Sequence, residues 1–407
     1  MISDYRLVAK SWQTPFVVLL GGCLISLVGF GARSSYGLYL GPMTLDLNWT
    51  RETFALAMAL QNLFWGICLP LAGILVDRYG PLWVVIGGAL IYALGTFGMT
   101  WVESSGSLYL AGGILVGTGV AFTSFSLVTA TMVRVVGVQR RSLVMGLCTA
   151  AGSLGQVLYS PITQGMISNH GWSSALVVTA VSVCLIIPLA FMLPNDPRVR
   201  DENVVHTDSI GAMREAFAHR GFLLLTAGFF VCGFHVAFIT VHLPVYVSDL
   251  GLGSMVGAIA ISLIGIFNIV GSLLSGAFGQ RFSKKCGLSS IYALRAVTLL
   301  VFLVAPKSEL TIYIFAATMG LLWLSTVPLT AGIIAQVFGI RYMATLYGFV
   351  FLSHQIGSFI GVWMGGYIYD LTGSYDLMWQ AGIILGLAAA LIHLPINEQP
   401  VPRLQAE

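Results

Sequence analysis

The feature that most limits what this chain can become is a run of about 20 apolar residues that recurs a dozen times, with charge held in the gaps between runs. Such a run rises roughly 30 Å as an α-helix, the thickness of a bilayer's hydrocarbon core, and a helix satisfies its own backbone there. Only 9% of the 407 residues are charged and 57% are hydrophobic, whereas soluble domains carry about 25% charge. The runs fall at 15–41, 52–76, 82–102, 107–133, 142–168, 172–194, 221–248, 254–279, 287–305, 310–337, 343–369 and 375–395, here numbered spans 1 to 12. The first is longer than a signal-peptide core and lacks a small-residue cleavage site, so it is expected to stay as a span. The predicted fold class is an all-α integral membrane protein of twelve transmembrane helices.

Charge sets the orientation. With both termini cytoplasmic, Arg51 and Lys307 alone of the 19 lysines and arginines fall outside, Arg33 and Arg295 fall within spans, and the other fifteen lie inside. The expectation is a multi-pass plasma-membrane protein, the inner membrane of a bacterium, working as a monomer among membrane lipids. The formal net charge of +3 is too small and scattered for nucleic acid. The six cysteines have no metal-ligand spacing, so no metal and no cofactor are expected.

The chain repeats itself. Gly73-Ile-Leu-Val-Asp77-Arg78-Tyr-Gly80 after span 2 is echoed by Gly276-Ala-Phe-Gly-Gln280-Arg281-Phe-Ser283 after span 8. Ile91-Tyr-Ala-Leu94 recurs as Ile291-Tyr-Ala-Leu294, and Arg140-Arg141 before span 5 matches Arg341 before span 11. Three matches in one order, each offset by about 200 residues, make two six-helix pseudo-repeats. Residues 1–194 and 221–407 form the two bundles, and 195–220 a cytoplasmic linker with a helix expected from Ile210. Parallel repeats place a substrate site between them near the midplane.

An ionisable group inside a span is costly and is by default functional. All 16 acidic residues fall in loops, termini or span ends, while Arg33, Arg295, His235, His242 and His354 are buried. Arginine keeps its charge, so without an acid at its depth its natural partner is the carboxylate of a small organic anion. Histidine is the side chain that ordinarily titrates near neutrality, so His235 and His354 are the candidates for proton coupling. Gln61, Gln156, Asn268, His235 and His354 reach one depth at 1.5 Å per residue and are expected to converge, with Gln355 beside His354. Tyr36, Trp65, Tyr159, Trp323 and Trp363 are candidate cavity walls, Thr123 a small hydroxyl facing substrate, and Trp101, Trp172 and Trp379 interfacial belt residues. The bland alternatives are snorkelling for the arginines and interhelical bonding for the amides.

These residues resemble the major facilitator superfamily. The Gly73 to Gly80 loop is similar to its G-x-L-a-D-R-x-G motif, and the resemblance implies a cytoplasmic gate of Asp77 and Arg78 with Arg281 as counterpart. Arg140-Arg141-Ser-Leu-Val-Met-Gly146-Leu-Cys-Thr-Ala-Ala-Gly152 resembles the span 5 entry of the monocarboxylate porter group and its bacterial relatives, including oxalate/formate exchangers. Arg33 stands where porters keep a basic residue. The resemblance also implies that spans 1, 4, 7 and 10 line the cavity. Asn268 and Ser272 replace the aspartate–arginine pair that animal porters carry in span 8, so proton coupling there is not implied. The resulting expectation is a secondary carrier of a monocarboxylate by alternating access, a symporter if a histidine exchanges a proton. An exporter of drugs or other metabolites on the same fold and an anion exchanger of dicarboxylates such as oxalate are the alternatives. The chain has none of the H-E-x-x-H, G-x-S-x-G or nucleotide-loop signatures of an enzyme.

Overall fold

The computed structural model describes residues 12–136, 141–195, 209–339 and 343–402. Eleven of its helices are long and apolar enough to cross a membrane, and one of them, Val144–Ala190, runs 47 residues. As a single rod that would be about 70 Å, more than twice the hydrocarbon core. It folds back at Gly171, whose φ of 80° is open to glycine at little cost. Its two arms are spans 5 and 6, and the count is twelve.

The spans begin with their free N–H groups already bonded. The Thr14 hydroxyl accepts from the Val17 N–H, Thr50 from Thr53, Ser283 from Cys286 and Ser308 from Thr311. Each cap removes an orphan donor that hydrocarbon could not satisfy. The cytoplasmic helix expected from Ile210 is Ser209–Ala218, leading into span 7 at Arg220–Asp249. Most of the linker, residues 196–208, lies outside the described residues.

Spans 1, 4 and 10 depart from simple rods. Span 1 continues beyond Pro15–Ser34 through a tight turn, Tyr36–Tyr39, into a short helix, Leu40–Asp46. Span 4 is π-helical over Tyr109–Leu115 and breaks at Thr123 and Ser124, between Val116–Phe122 and Phe125–Val136. Span 10 breaks between Glu309–Leu322 and Thr326–Phe338. The two breaks stand about 200 residues apart, as the repeat requires. The repeat extends to side chains: the Tyr92 hydroxyl donates to the Gly29 carbonyl at 3.1 Å, and the Tyr292 hydroxyl to Gly228 at 2.7 Å.

Span 2 packs along span 11 and span 5 along span 8, joining the halves. These pairs touch on the side expected to be outer and part on the side expected to be cytoplasmic. A Cβ at Gly66 would lie 2.9 Å from Cβ of Gln355, and one at Gly265 would lie 2.9 Å from the Ser153 carbonyl. Two turns further in, on the same helix faces, Gly73, Gly348 and Gly146 face open space within 4 Å, and Gly276 does too. Residues seven apart share a face, so the helices diverge there rather than rotate. The molecule is therefore open at the side expected to be cytoplasmic and closed at the side expected to be outer.

The closure is a network of charged and aromatic groups. Arg51, at the outer start of span 2, donates to both oxygens of Asp249 from span 7, at 2.6 and 2.7 Å, and to the Tyr375 hydroxyl at 3.1 Å. Its guanidinium lies 3.7 Å from the centre of the Tyr369 ring. Asp370 accepts the backbone N–H groups of Arg51 and Glu52, and Trp363 donates to the Glu52 carboxylate at 3.0 Å. Behind Tyr375, His242 bonds its hydroxyl through one ring nitrogen and the Val362 carbonyl through the other. Trp363, expected on the cavity wall, thus belongs to this outer closure. Trp379 is no belt residue either: it is 1% exposed, packed edge-on to Phe238 and Phe302.

Candidate substrate site

Span 1 turns one face, carrying Ser26, Gly29, Phe30 and Arg33, into a cavity closed by Trp65 of span 2 and by Val120, Thr123, Ser124 and Phe125 of span 4. The break in span 4 is what brings Thr123 and Ser124 to the wall, because it offsets the helix axis where they sit. Arg33 is the one charged residue lining this cavity. It donates to Asn62 Oδ1 at 2.5 Å, and Asn62 is oriented by donating its own amide to the Met58 carbonyl at 2.8 Å. The guanidinium lies 4.5 Å from the Trp65 ring centre and 5.9 Å from that of Phe30. Its Nε is buried without a hydrogen-bond partner.

An amide and two rings hold the guanidinium but leave its charge intact. Among the described residues the one ion pair between side chains is Arg51 with Asp249, so Arg33 has no carboxylate counter-ion. A desolvated cation with an unused N–H is a strong receptor for an anion, because charge-assisted bonds shorten and strengthen where water is excluded.

Beyond Trp65 an aromatic path crosses to the other half. Trp65 meets Phe351 edge-on, with centroids 5.3 Å apart, and Phe351 stacks on His354 at 5.7 Å and 5°. His354 Nδ1 lies 3.3 Å from Gln355 Oε1 and 3.5 Å from the Ser358 hydroxyl, while Gln355 Nε2 has no partner. His354 and Gln355 therefore stand at the inter-half crevice, one ring removed from the cavity.

The other polar candidates do not share this pocket, contrary to the convergence expected from depth alone. Gln61 donates to the Gly112 carbonyl, Tyr36 pairs with Thr96, and the Tyr159 hydroxyl donates to Ser182, all within the first six spans. His235 bonds the Gly382 carbonyl at 2.8 Å and faces span 12. Gln156 donates to the Ile261 carbonyl at 2.8 Å, holding span 5 to span 8. Equal depth does not mean equal azimuth, and azimuth comes from packing.

Arg295 is wholly buried and serves the break in span 10. Its Nε and Nη2 donate to the Leu322 carbonyl, at 3.2 and 2.6 Å, and Nη2 also donates to the Trp323 carbonyl. Asn268 accepts the Leu324 N–H at 3.0 Å and donates to Ser153 of span 5 at 2.9 Å. Ser275 donates to the Ser325 carbonyl. Three side chains thus satisfy the backbone freed by the break, as membrane burial demands, and Trp323 is packed inside at 1% exposure.

Of the cytoplasmic gate residues, Arg78 and Arg281 are exposed, and Arg78 lies over its neighbour Tyr79 at 5.3 Å. The side chain of Asp77 lies outside the described residues. From sequence Asn62 reads as an interhelical hydrogen-bonding amide rather than a cavity residue, and Phe30 and the outer closure are not singled out. Asn62 with Trp65, and Phe30 with Arg33, are spaced three apart on one helix face, a signal that could have grouped them. Nothing in the sequence pairs Arg51 with Asp249.

Comparison with known proteins agrees with this architecture. The Major Facilitator Superfamily pattern matches residues 22–362. The chain is 26% identical over 389 residues to monocarboxylate transporter 13 of Rattus norvegicus, covering 93% of this chain and 89% of that one. It is 25% identical over 403 residues to the oxalate:formate antiporter of Oxalobacter formigenes, covering 98% and 93%. In fold it is similar to the crystal structure of a D-xylose–proton symporter, with a TM-score of 0.75 at 12% identity over 95% of this chain and 98% of that one. With a matching pattern over most of its length, twelve spans in two repeats and a cavity between bundle helices, the chain belongs to the Major Facilitator Superfamily and is a multi-pass membrane transporter, not an enzyme.

Proposed function

We propose that this transporter carries a small organic anion, first of all a monocarboxylate, by alternating access. The observation that carries the proposal is Arg33: a cation lining a cavity, with an unpartnered Nε–H and, among the described residues, no carboxylate counter-ion. One free guanidinium matches one carboxylate. A lipophilic cation would be repelled at that position, which disfavours a cationic-drug exporter. The names of the relatives, monocarboxylate transporter and oxalate:formate antiporter, fit an anionic substrate.

In this reading the bundles 1–194 and 221–407 rock about the Trp65–Phe351 contact as a monomer in the plasma membrane, both termini cytoplasmic. The outer closure holds the inward-open state, and the Asp77–Arg78 loop with Arg281 holds the opposite one. If a proton accompanies the substrate, His354 is its carrier, because it stands at the crevice through Phe351, whereas His235 is tied to a carbonyl inside its own bundle.

The test is uptake of labelled carboxylates into proteoliposomes. Arg33→Gln removes a charged bond of about 1.5–3 kcal/mol, so kcat/KM should fall about ten- to a hundredfold. Unchanged uptake by Arg33→Gln would end the proposal. For the proton step, His354→Gln should flatten the dependence of uptake on pH while His235→Gln leaves it; the opposite pattern would reassign the carrier.

A further inference from the structure

Resting on the anion reading of the Arg33 cavity, we infer that Trp65 is a hydrogen-bond donor to the substrate as well as a wall: its indole N–H takes one carboxylate oxygen while Arg33 Nε takes the other. The residues lining the cavity leave two buried side-chain nitrogens without a partner, Arg33 Nε and Trp65 Nε1. The guanidinium carbon lies 4.5 Å from the centre of the Trp65 ring, so the two donors are neighbours in one wall. An indole N–H can only donate, and a buried one ordinarily finds an acceptor. Asn62, one turn earlier on the same helix, gives its oxygen to Arg33 and its amide to the Met58 carbonyl.

The other tryptophans show the contrast. Trp172 donates to Asp46 and Trp363 to Glu52. Trp379 Nε1 is also without a partner, but that ring is packed among Phe238, Tyr246, Phe302 and Phe315 and has no place in the cavity lining. Among the tryptophans, Trp65 alone joins an unused N–H to a cavity, and it does so beside a cation. A carboxylate has an acceptor oxygen for each of the two donors. Two N–H groups on one carboxylate fix its plane, and each bond is strengthened where water is excluded. Trp65 also meets Phe351 of span 11 edge-on, so the ring that grips the anion is the ring that touches the other half.

Nuclear magnetic resonance of the purified full-length protein, its nine tryptophans carrying isotope-labelled indole nitrogens, reads this N–H directly, and Trp65→Phe assigns its signal. The probes are lactate and oxalate at saturation. The expected result is a downfield shift of the Trp65 indole proton beside an unmoved Trp379 signal, and loss of that shift in Arg33→Gln. Trp65→benzothienylalanine keeps the ring and its packing but puts sulfur in place of the N–H. It should weaken binding of the same probe about tenfold or more. A Trp65 signal that does not move, or an affinity within about threefold of wild type in the sulfur analogue, overturns the inference, and the anion reading stands if Arg33→Gln still weakens binding. Binding indifferent to Arg33→Gln, or no binding of either probe to the wild type, overturns both.

Discussion

Neutralising Asp249 should release the outer face. Arg51 and Asp249 join the two halves through two N–H bonds, at 2.6 and 2.7 Å, with side chains 15% and 31% exposed. Shielded bonds to a charged group contribute about 1.5–3 kcal/mol and fully exposed ion pairs about 0.2–1 kcal/mol. A bidentate pair at this partial exposure falls between, at about 1–2 kcal/mol. Asp249→Asn removes that term alone, since Arg51 keeps the Tyr375 hydroxyl and the Tyr369 ring, and Asp370 still caps the start of span 2. At 1.4 kcal/mol per tenfold, the outward-open population should rise about five- to thirtyfold. The readout is a cysteine at Thr240, whose carbonyl lies against Gly37 beneath the closure, in a background with the exposed Cys184 and Cys286 replaced by serine. When opening and closing are fast, labelling by an impermeant thiol reagent from outside follows the open population, as proteolysis of transiently opened states does. Arg51→Lys should move the rate the same way, because an ammonium cannot reproduce the forked pair. Labelling within about twofold of the parent in both variants, well short of the shift the bond energies require, would refute the role of this network.

Gly37→Val should act in the same direction by sterics: its Cβ would meet Val241 Cα at 2.9 Å, so the outer closure cannot seat, and Thr240→Cys labelling should rise while uptake falls. Arg295→Gln leaves the Leu322 and Trp323 carbonyls under-satisfied in a buried break, so thermal stability should drop by about 2–4 kcal/mol. Carboxylate affinity of the surviving fold should stay within about threefold of wild type, the reverse of Arg33→Gln. Tyr92→Phe and Tyr292→Phe each delete one buried bond to a glycine carbonyl and should cost about 1 kcal/mol each in an unfolding titration. A much larger loss for one alone would show that the repeat is not matched in energy.

Much of the fold is legible in the sequence because hydrocarbon is a severe solvent. Length and apolarity alone decide which segments cross it, and the distribution of lysine and arginine decides the expected direction. Twelve spans, the turn between spans 5 and 6, and the pairing of Tyr92 with Tyr292 through the repeat were all readable. Arg33 stands out in the sequence too, since a permanent cation within a span poses the question of its partner in any packing. What only the tertiary structure decided is where each helix turns its faces and where each leaves its regular path. Arg33 and Arg295 look alike as intramembrane arginines, yet one meets Asn62 and lines a cavity while the other turns Nε and Nη2 to the carbonyls of a broken helix, leaving Nη1 unpartnered. Gln156, His235 and Asn268 share a depth but bond in three different places. The physical reason is that burial in lipid constrains each span one at a time, whereas azimuth, breaks and inter-half contacts depend on residues hundreds of positions apart. Arg51 and Asp249, 198 positions apart, meet only once both halves have folded and closed on the outer side.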